Sequence, residues 1–205
     1  MFKGTSASAG IGIGKAVIVE EAELVITRNE VADAEGEIQR FKGALEKTIA
    51  ATQKMADDLA SRVGEKEAEI MQGHMMLLSD PMLTGEIESS IRNDKVNSEF
   101  AIENVCNMYA DMFASMGDEL MQQRATDMRD IKVRMQRTLM GLESVDVSLL
   151  PKGSILVAKD LTPSMTAGIN PENVSGIVTE LGGKTSHSAI LARALEIPAV
   201  VAVNG

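Results

Sequence analysis

The chain has 205 residues, 44% hydrophobic and 24% charged, enough for one large domain or two small ones around a real core. A net charge of −10 and an aromatic content of 2% with no tryptophan argue against nucleic acid, which calls for basic surfaces and stacking platforms. The single cysteine, Cys106, excludes an intrachain disulfide; MFKGTSASAG lacks a secretory apolar core and no apolar run nears the ~20 residues of a membrane span, so a cytoplasmic, membrane-free setting is expected.

Residues 1–25 read as β, with an apolar run from Ala16 to Val19 preceded by Gly10, Gly12 and Gly14. From about 30 to 142 the period is helical. Ile38, Phe41, Leu45, Ile49, Met55 and Leu59 form the apolar stripe of a long first helix, with Asn29 or Asp33 as its cap and Gly64 as its end or a bend in it. A second helix runs near Glu65 to Leu78. Ser79-Asp80-Pro81 then supplies a cap and an N1 proline for a third, to about Asn93. A fourth follows Asn97-Ser98 until Gly117-Asp118. A fifth runs from about Glu119 to Met140 and stops at Gly141. Short connections between helices imply antiparallel neighbours, hence a bundle.

Beyond Val145 the period changes again. Ser154 to Ala158 reads as a buried strand, and Thr162-Pro163 opens a short helix that ends near Gly168. Val174 to Thr179 is a strand, Ser188 to Glu196 a helix, and Pro198 to Val203 a strand. The fold class is therefore α+β or α/β: an α/β subdomain of residues 1–28 and 143–205, whose strands join across an inserted antiparallel helical bundle of residues 29–142. The insert carries 21 acidic and 13 basic residues, so most of the negative charge lies on the helices.

The chemically informative stretch is Gly182 to Arg193, placed after one predicted strand and opening a predicted helix. Two glycines permit a tight turn, Thr185 or Ser186 can cap the helix, and the first-turn N–H groups with the dipole favour an anion. Lys184 adds positive charge, and His187 stands at this position. A neutral imidazole has a free lone pair near neutral pH, so it can attack phosphorus and later leave. Phosphoryl transfer needs in-line positioning and charge stabilisation. Thr185, Ser186, Ser188 and Lys184 are candidates for the second. The plain alternative is a polar residue in a helix's first turn.

The run GGKTSHSAILARALEIPAVV closely resembles the phosphohistidine segment of Enzyme I of the bacterial phosphoenolpyruvate-dependent sugar phosphotransferase system. SAGIGIGKA, QGHMMLLSDPML, RATDMRDIKVR and ILVAKDLTPSMTA agree in order, so the resemblance spans essentially the whole chain. It implies that His187 is phosphorylated, through Nε2, and that Thr166 hydrogen-bonds it. It implies an α/β phosphohistidine subdomain with an inserted helical subdomain that docks HPr, a small histidine phosphocarrier. Glu65, Met76, Leu77, Asp80, Leu83 and Arg124 are the expected HPr contacts, and His74, at the same surface, is given a contact or structural role rather than a chemical one. It further implies that the whole protein continues beyond Gly205. The continuation would complete the α/β part and add a domain that binds phosphoenolpyruvate and Mg²⁺ and forms a homodimer. No cofactor or metal is expected for these 205 residues.

Three features are discounted. Gly10-Ile11-Gly12-Ile13-Gly14 precedes a strand and reads as a β-turn rather than a nucleotide loop. Cys106 reads as a buried small residue. The Arg129–Arg137 cluster, with Asp127 and Asp130, reads as a solvated or salt-bridged face. Twelve of 14 methionines fall in the helical segment, mostly as core, although methionine also suits adaptable binding surfaces. Other readings are a nitrogen-responsive regulatory paralogue, a dikinase-type phosphohistidine domain, a helical interaction module with an inert His187, and a helical scaffold.

Overall fold

The computed structural model describes residues 2–204. Its α/β unit holds a five-stranded sheet in the order β1 (Lys3–Ser8), β5 (Ala199–Asn204), β4 (Val174–Thr179), β3 (Ser154–Ala158), β2 (Lys15–Val19). β2, β3, β4 and β5 run parallel, and β1 lies antiparallel to β5. Strands from the start and the end of the chain thus share one sheet. β3 buries alternate residues and β4 buries Val174, Ile177 and Thr179; Leu156 and Ile177 share one core cluster with residues of α6 (Pro163–Ala167) and α7 (His187–Ala194). Gly12 and Gly14 are explained by this packing: a Cβ would stand 2.3 Å from Ser175 O at one and 2.0 Å from Gly153 O at the other.

The helical unit uses α1 (Ala34–Val63), α2 (Glu65–Leu78), α3 (Pro81–Asp94), α4 (Ser98–Ser115) and α5 (Glu119–Met140). Of the two caps offered for α1, Asp33 is used: its Oδ1 accepts the Gly36 N–H at 2.9 Å. Asn29 instead donates its backbone N–H to Asn97 Oδ1 at 2.9 Å. Asp80 caps α3, Asp118 caps α5, and Gly141 closes α5 in the left-handed conformation. Phe41, Ile87, Ile102 and Ile131 fill the core.

The division of the chain differs from an insert of residues 29–142. Residues 55–69, the end of α1 and the start of α2, group with the α/β unit, which also holds residues up to Ala22 and those from Val145 on. Glu23–Lys54 and Ile70–Ser144 form the helical unit. Within the α/β unit the last turn of α1 is tied down by the Arg62 guanidinium, which donates to the carbonyls of Ile169 and Ala167. Apolar periodicity does not reveal such a polar attachment.

Candidate functional site

The turn after β4 is fixed by backbone pairing before it reaches the histidine. Glu180 N–H donates to Ala158 O at 3.2 Å and Leu181 N–H to Lys159 O at 2.8 Å, so the loops that leave β3 and β4 are tied together. Thr179 Oγ1 donates back to Leu181 O at 2.6 Å. Gly182 then takes a φ of 97°, a region that L side chains enter only with strain. A Cβ on Gly183 would meet nothing within 4 Å, so the two glycines are not equivalent.

Ser186 ends the turn and starts the helix. Its N–H and its hydroxyl both donate to Gly183 O, at 3.1 and 2.8 Å, while its Oγ accepts the Ala189 N–H at 3.3 Å. Because the hydroxyl proton points at Gly183 O, the 2.9 Å contact between Ser186 and Ser188 has buried Ser188 as donor. Ile190 N–H closes the first turn on Ser186 O at 3.0 Å. His187 is therefore the first residue of α7, one position earlier than expected, and is half-buried. It sits at the positive end of the helix dipole, where negative charge is stabilised.

The remaining expected supports divide. Lys184 and Thr185 are exposed on the loop beside His187. Thr166 is fully buried on α6, which packs against α7, and its hydroxyl donates to Thr162 O at 2.8 Å. Its proton is thus spent on its own helix, which leaves the oxygen lone pairs for an N–H donor. One residue was missed. Arg193, on α7, donates from Nη1 to Lys184 O at 2.9 Å and to Ala7 O at 3.0 Å, pinning the loop to β1. Its place in the motif was visible; its backbone targets, far apart in sequence, were not.

The expected docking residues sort by exposure. Met76 on α2 is 72% exposed, and Met82, which was given no docking role, is 68% exposed. Leu77 and Asp80 are half-buried, and Arg124 is one-third exposed. His74 and Leu83 are corrections: at 0% and 2% exposure neither side chain reaches the surface. Leu83 belongs to the core of the helical unit. His74 lies among charges, with Nε2 3.2 Å from Asp127 Oδ1. Glu65 is the exposed first residue of α2 and groups with the α/β unit. The face of α5 expected to be solvated or salt-bridged divides: Arg129 pairs with Asp111 at 3.8 Å and Asp127 with Arg124 at 3.6 Å, but the face is not solvated throughout. Arg129 is exposed, but Asp127, Asp130, Arg134 and Arg137 are buried. Their spacing of three and four residues puts them on the inward stripe of the helix.

Cys106 is buried, and burial pushes its thiol up to about 12. Among the described residues no group of three or more His, Cys, Asp or Glu side chains is placed to hold a metal ion. None of the described helices is long and apolar enough to cross a membrane.

Comparison with known proteins gives two family matches: residues 3–124 match the PEP-utilising enzyme N-terminal model, and residues 150–205 the PEP-utilising enzyme mobile domain. The chain is 44% identical over 200 residues to the phosphoenolpyruvate-protein phosphotransferase of Listeria monocytogenes serovar 1/2a, covering 98% of this chain and 35% of that protein. It is 43% identical to the phosphoenolpyruvate-protein phosphotransferase of Bacillus subtilis, with the same coverage of 98% and 35%. It thus spans about a third of the length of these curated relatives. Among solved structures, an NMR solution structure of Enzyme I (nEIt) matches with a TM-score of 0.84 at 40% identity, over 99% of this chain and 83% of that one. The N-terminal domain of Enzyme 1 - Nitrogen matches with a TM-score of 0.68 at 25% identity, over 100% and 84%.

Proposed function

The chain belongs to the PEP-utilising enzyme family, and from that premise we propose that it is the phosphoryl-carrying N-terminal part of a phosphoenolpyruvate-protein phosphotransferase. In this reading His187 accepts a phosphoryl group and exchanges it reversibly with the histidine of HPr. The observation that carries the proposal is the placing of His187 as the first residue of α7, behind left-handed Gly182 and beside the Ser186 cap.

The steps follow from that placing. The Nε2 lone pair attacks phosphorus as the N–P bond to the carrier's histidine breaks, so one N–P bond replaces another and the reverse path is equally open. The dipole of α7 and the nearby ammonium of Lys184 offset the charge of the transferred group. Arg193 keeps the loop in register by holding Lys184 O and Ala7 O. Met76, Met82, Leu77 and Asp80 on the helical unit serve HPr docking, with Arg124 and Glu65 as charged contacts. Acidic charge on the helices suits a basic face on the carrier.

Phosphoenolpyruvate, Mg²⁺ and dimerisation belong, in this reading, to the whole protein, where phosphoenolpyruvate is the first donor. The nitrogen-responsive reading has less support, because the likeness to the nitrogen Enzyme 1 domain is the weaker of the two. Intact mass at alkaline pH after incubation with phosphorylated HPr tests the proposal. One added acid-labile phosphate, absent in His187→Ala, is expected. A folded chain that takes up none, yet still binds HPr, would instead support the interaction-module reading.

A further inference from the structure

A fully buried histidine between two carboxylates is a costly way to join two helices, since well-packed apolar residues would do so at least as well. On α2, His74 Nε2 lies 3.2 Å from Asp127 Oδ1. Its Nδ1 is 3.9 Å from Asp130 Oδ2, too far for a hydrogen bond, and is buried without a partner. Both aspartates lie on α5 at 4% exposure. The second oxygen of Asp127, Oδ2, is 3.6 Å from Arg124 Nη1, one turn earlier on the same helix. The same Nη1 lies over Gly73, where a Cβ would stand 2.6 Å away.

Two consecutive residues of α2 therefore act on one guanidinium. Gly73 gives it room, and His74 reaches it through Asp127. We propose that His74 is a positioning residue: acting through Asp127, it holds the Arg124 guanidinium in one orientation, ready for an anionic group on the docked phosphocarrier. The inference rests on the reading that Arg124 contacts HPr. Its physical basis is entropy. A free arginine loses rotamer freedom when it docks, whereas one already paired with a buried carboxylate loses less.

The test is single-turnover transfer from phosphorylated HPr to this chain, measured across HPr concentrations. Arg124→Ala and His74→Leu are each expected to raise the half-saturating concentration about tenfold with the limiting rate unchanged. The double variant should be no worse than Arg124→Ala alone, because His74 works only through that arginine. His74→Gln, whose amide can still donate to Asp127, should recover much of the loss. Multiplying effects in the double variant, or a His74→Leu variant altered in thermal stability alone, would overturn the inference. An unchanged half-saturation in Arg124→Ala has a different signature: the docking role of Arg124 is then wrong, and the inference falls with it. If His74→Leu does not fold, Asp127→Asn decides the same question. It keeps the volume but removes the charge facing Arg124; matching Arg124→Ala supports the inference and parental behaviour refutes it.

Discussion

Replacing Ser186 with alanine removes three hydrogen bonds at one atom: the cap to Ala189 N–H, the donation to Gly183 O, and the acceptor for buried Ser188. Loss of an N-cap costs about 1 kcal/mol. Leaving the Ser188 hydroxyl without its acceptor adds about 1 kcal/mol, while water replaces much of the bond to Gly183 because Ser186 is half-buried. A local loss of about 2 kcal/mol should speed amide exchange in α7 about thirtyfold. Transfer to His187 should slow as well, because the ring stands on the turn that frays. Ser186→Asp separates these effects. A carboxylate caps as well as a hydroxyl, so exchange should return to near its parental rate. Its charge, one residue from His187, repels the incoming phosphoryl group, so transfer should stay slow. Parental exchange and transfer in Ser186→Ala would refute this reasoning, as would parental transfer in Ser186→Asp.

Gly182→Ala should destabilise the α/β unit by about 1–2 kcal/mol, because its φ of 97° is strained for alanine, and thermal unfolding should shift accordingly. Gly183→Ala, with open space at its Cβ, should stay within about 0.5 kcal/mol of the parent in the same melt. In the helical unit, burial raises Glu37, Glu99 and Glu103. Bonds from Arg40 to the first two, and from Gln136 and Lys132 to the third, outweigh it and hold all three below the usual carboxylate range. Their contribution is therefore present above the unfolded-state pKa of ~4.3 and is lost as pH falls through the lower folded values. Circular dichroism from pH 7 to 2 should show the parent unfolding below about pH 4, and Arg40→Met losing the part of that acid-sensitive stability that Glu37 and Glu99 contribute. An Arg40→Met acid profile identical to the parent's would refute the assignment.

Elements with strong local signals were legible in the sequence. The strand Ser154–Ala158 is an apolar run, and α5 carries an aspartate before it and a glycine after it; both have the expected bounds. β1, inside the residues 1–25 read as β, carried no such local signal of its own. KGTSAS contains no large apolar residue and becomes a strand because β5 supplies the hydrogen-bonding partner. The histidine, its helix and its cap could be read from one motif because turn chemistry is local. The buried charges of α5 could not, since hydropathy periodicity marks apolar stripes and treats Asp127, Asp130, Arg134 and Arg137 as solvent-facing. Likewise, the polar attachment of Arg62 carries no pattern along the chain.

The pairing of the first strand with the last has a consequence for how the chain is made. Ser8 meets Ala199 and Lys3 meets Asn204, so β1 has no partner until residues 199–204 have been synthesised. Helices α1 to α5 lie between and are complete once Met140 has emerged. At ribosomal speeds of roughly 5–20 residues per second, the ~60 residues that follow keep β1 waiting about 3–12 s. The α/β unit is therefore the late-folding part, with high contact order, and the nascent chain holds an unpaired β1 while the helical unit, residues 23–54 and 70–144, can already form.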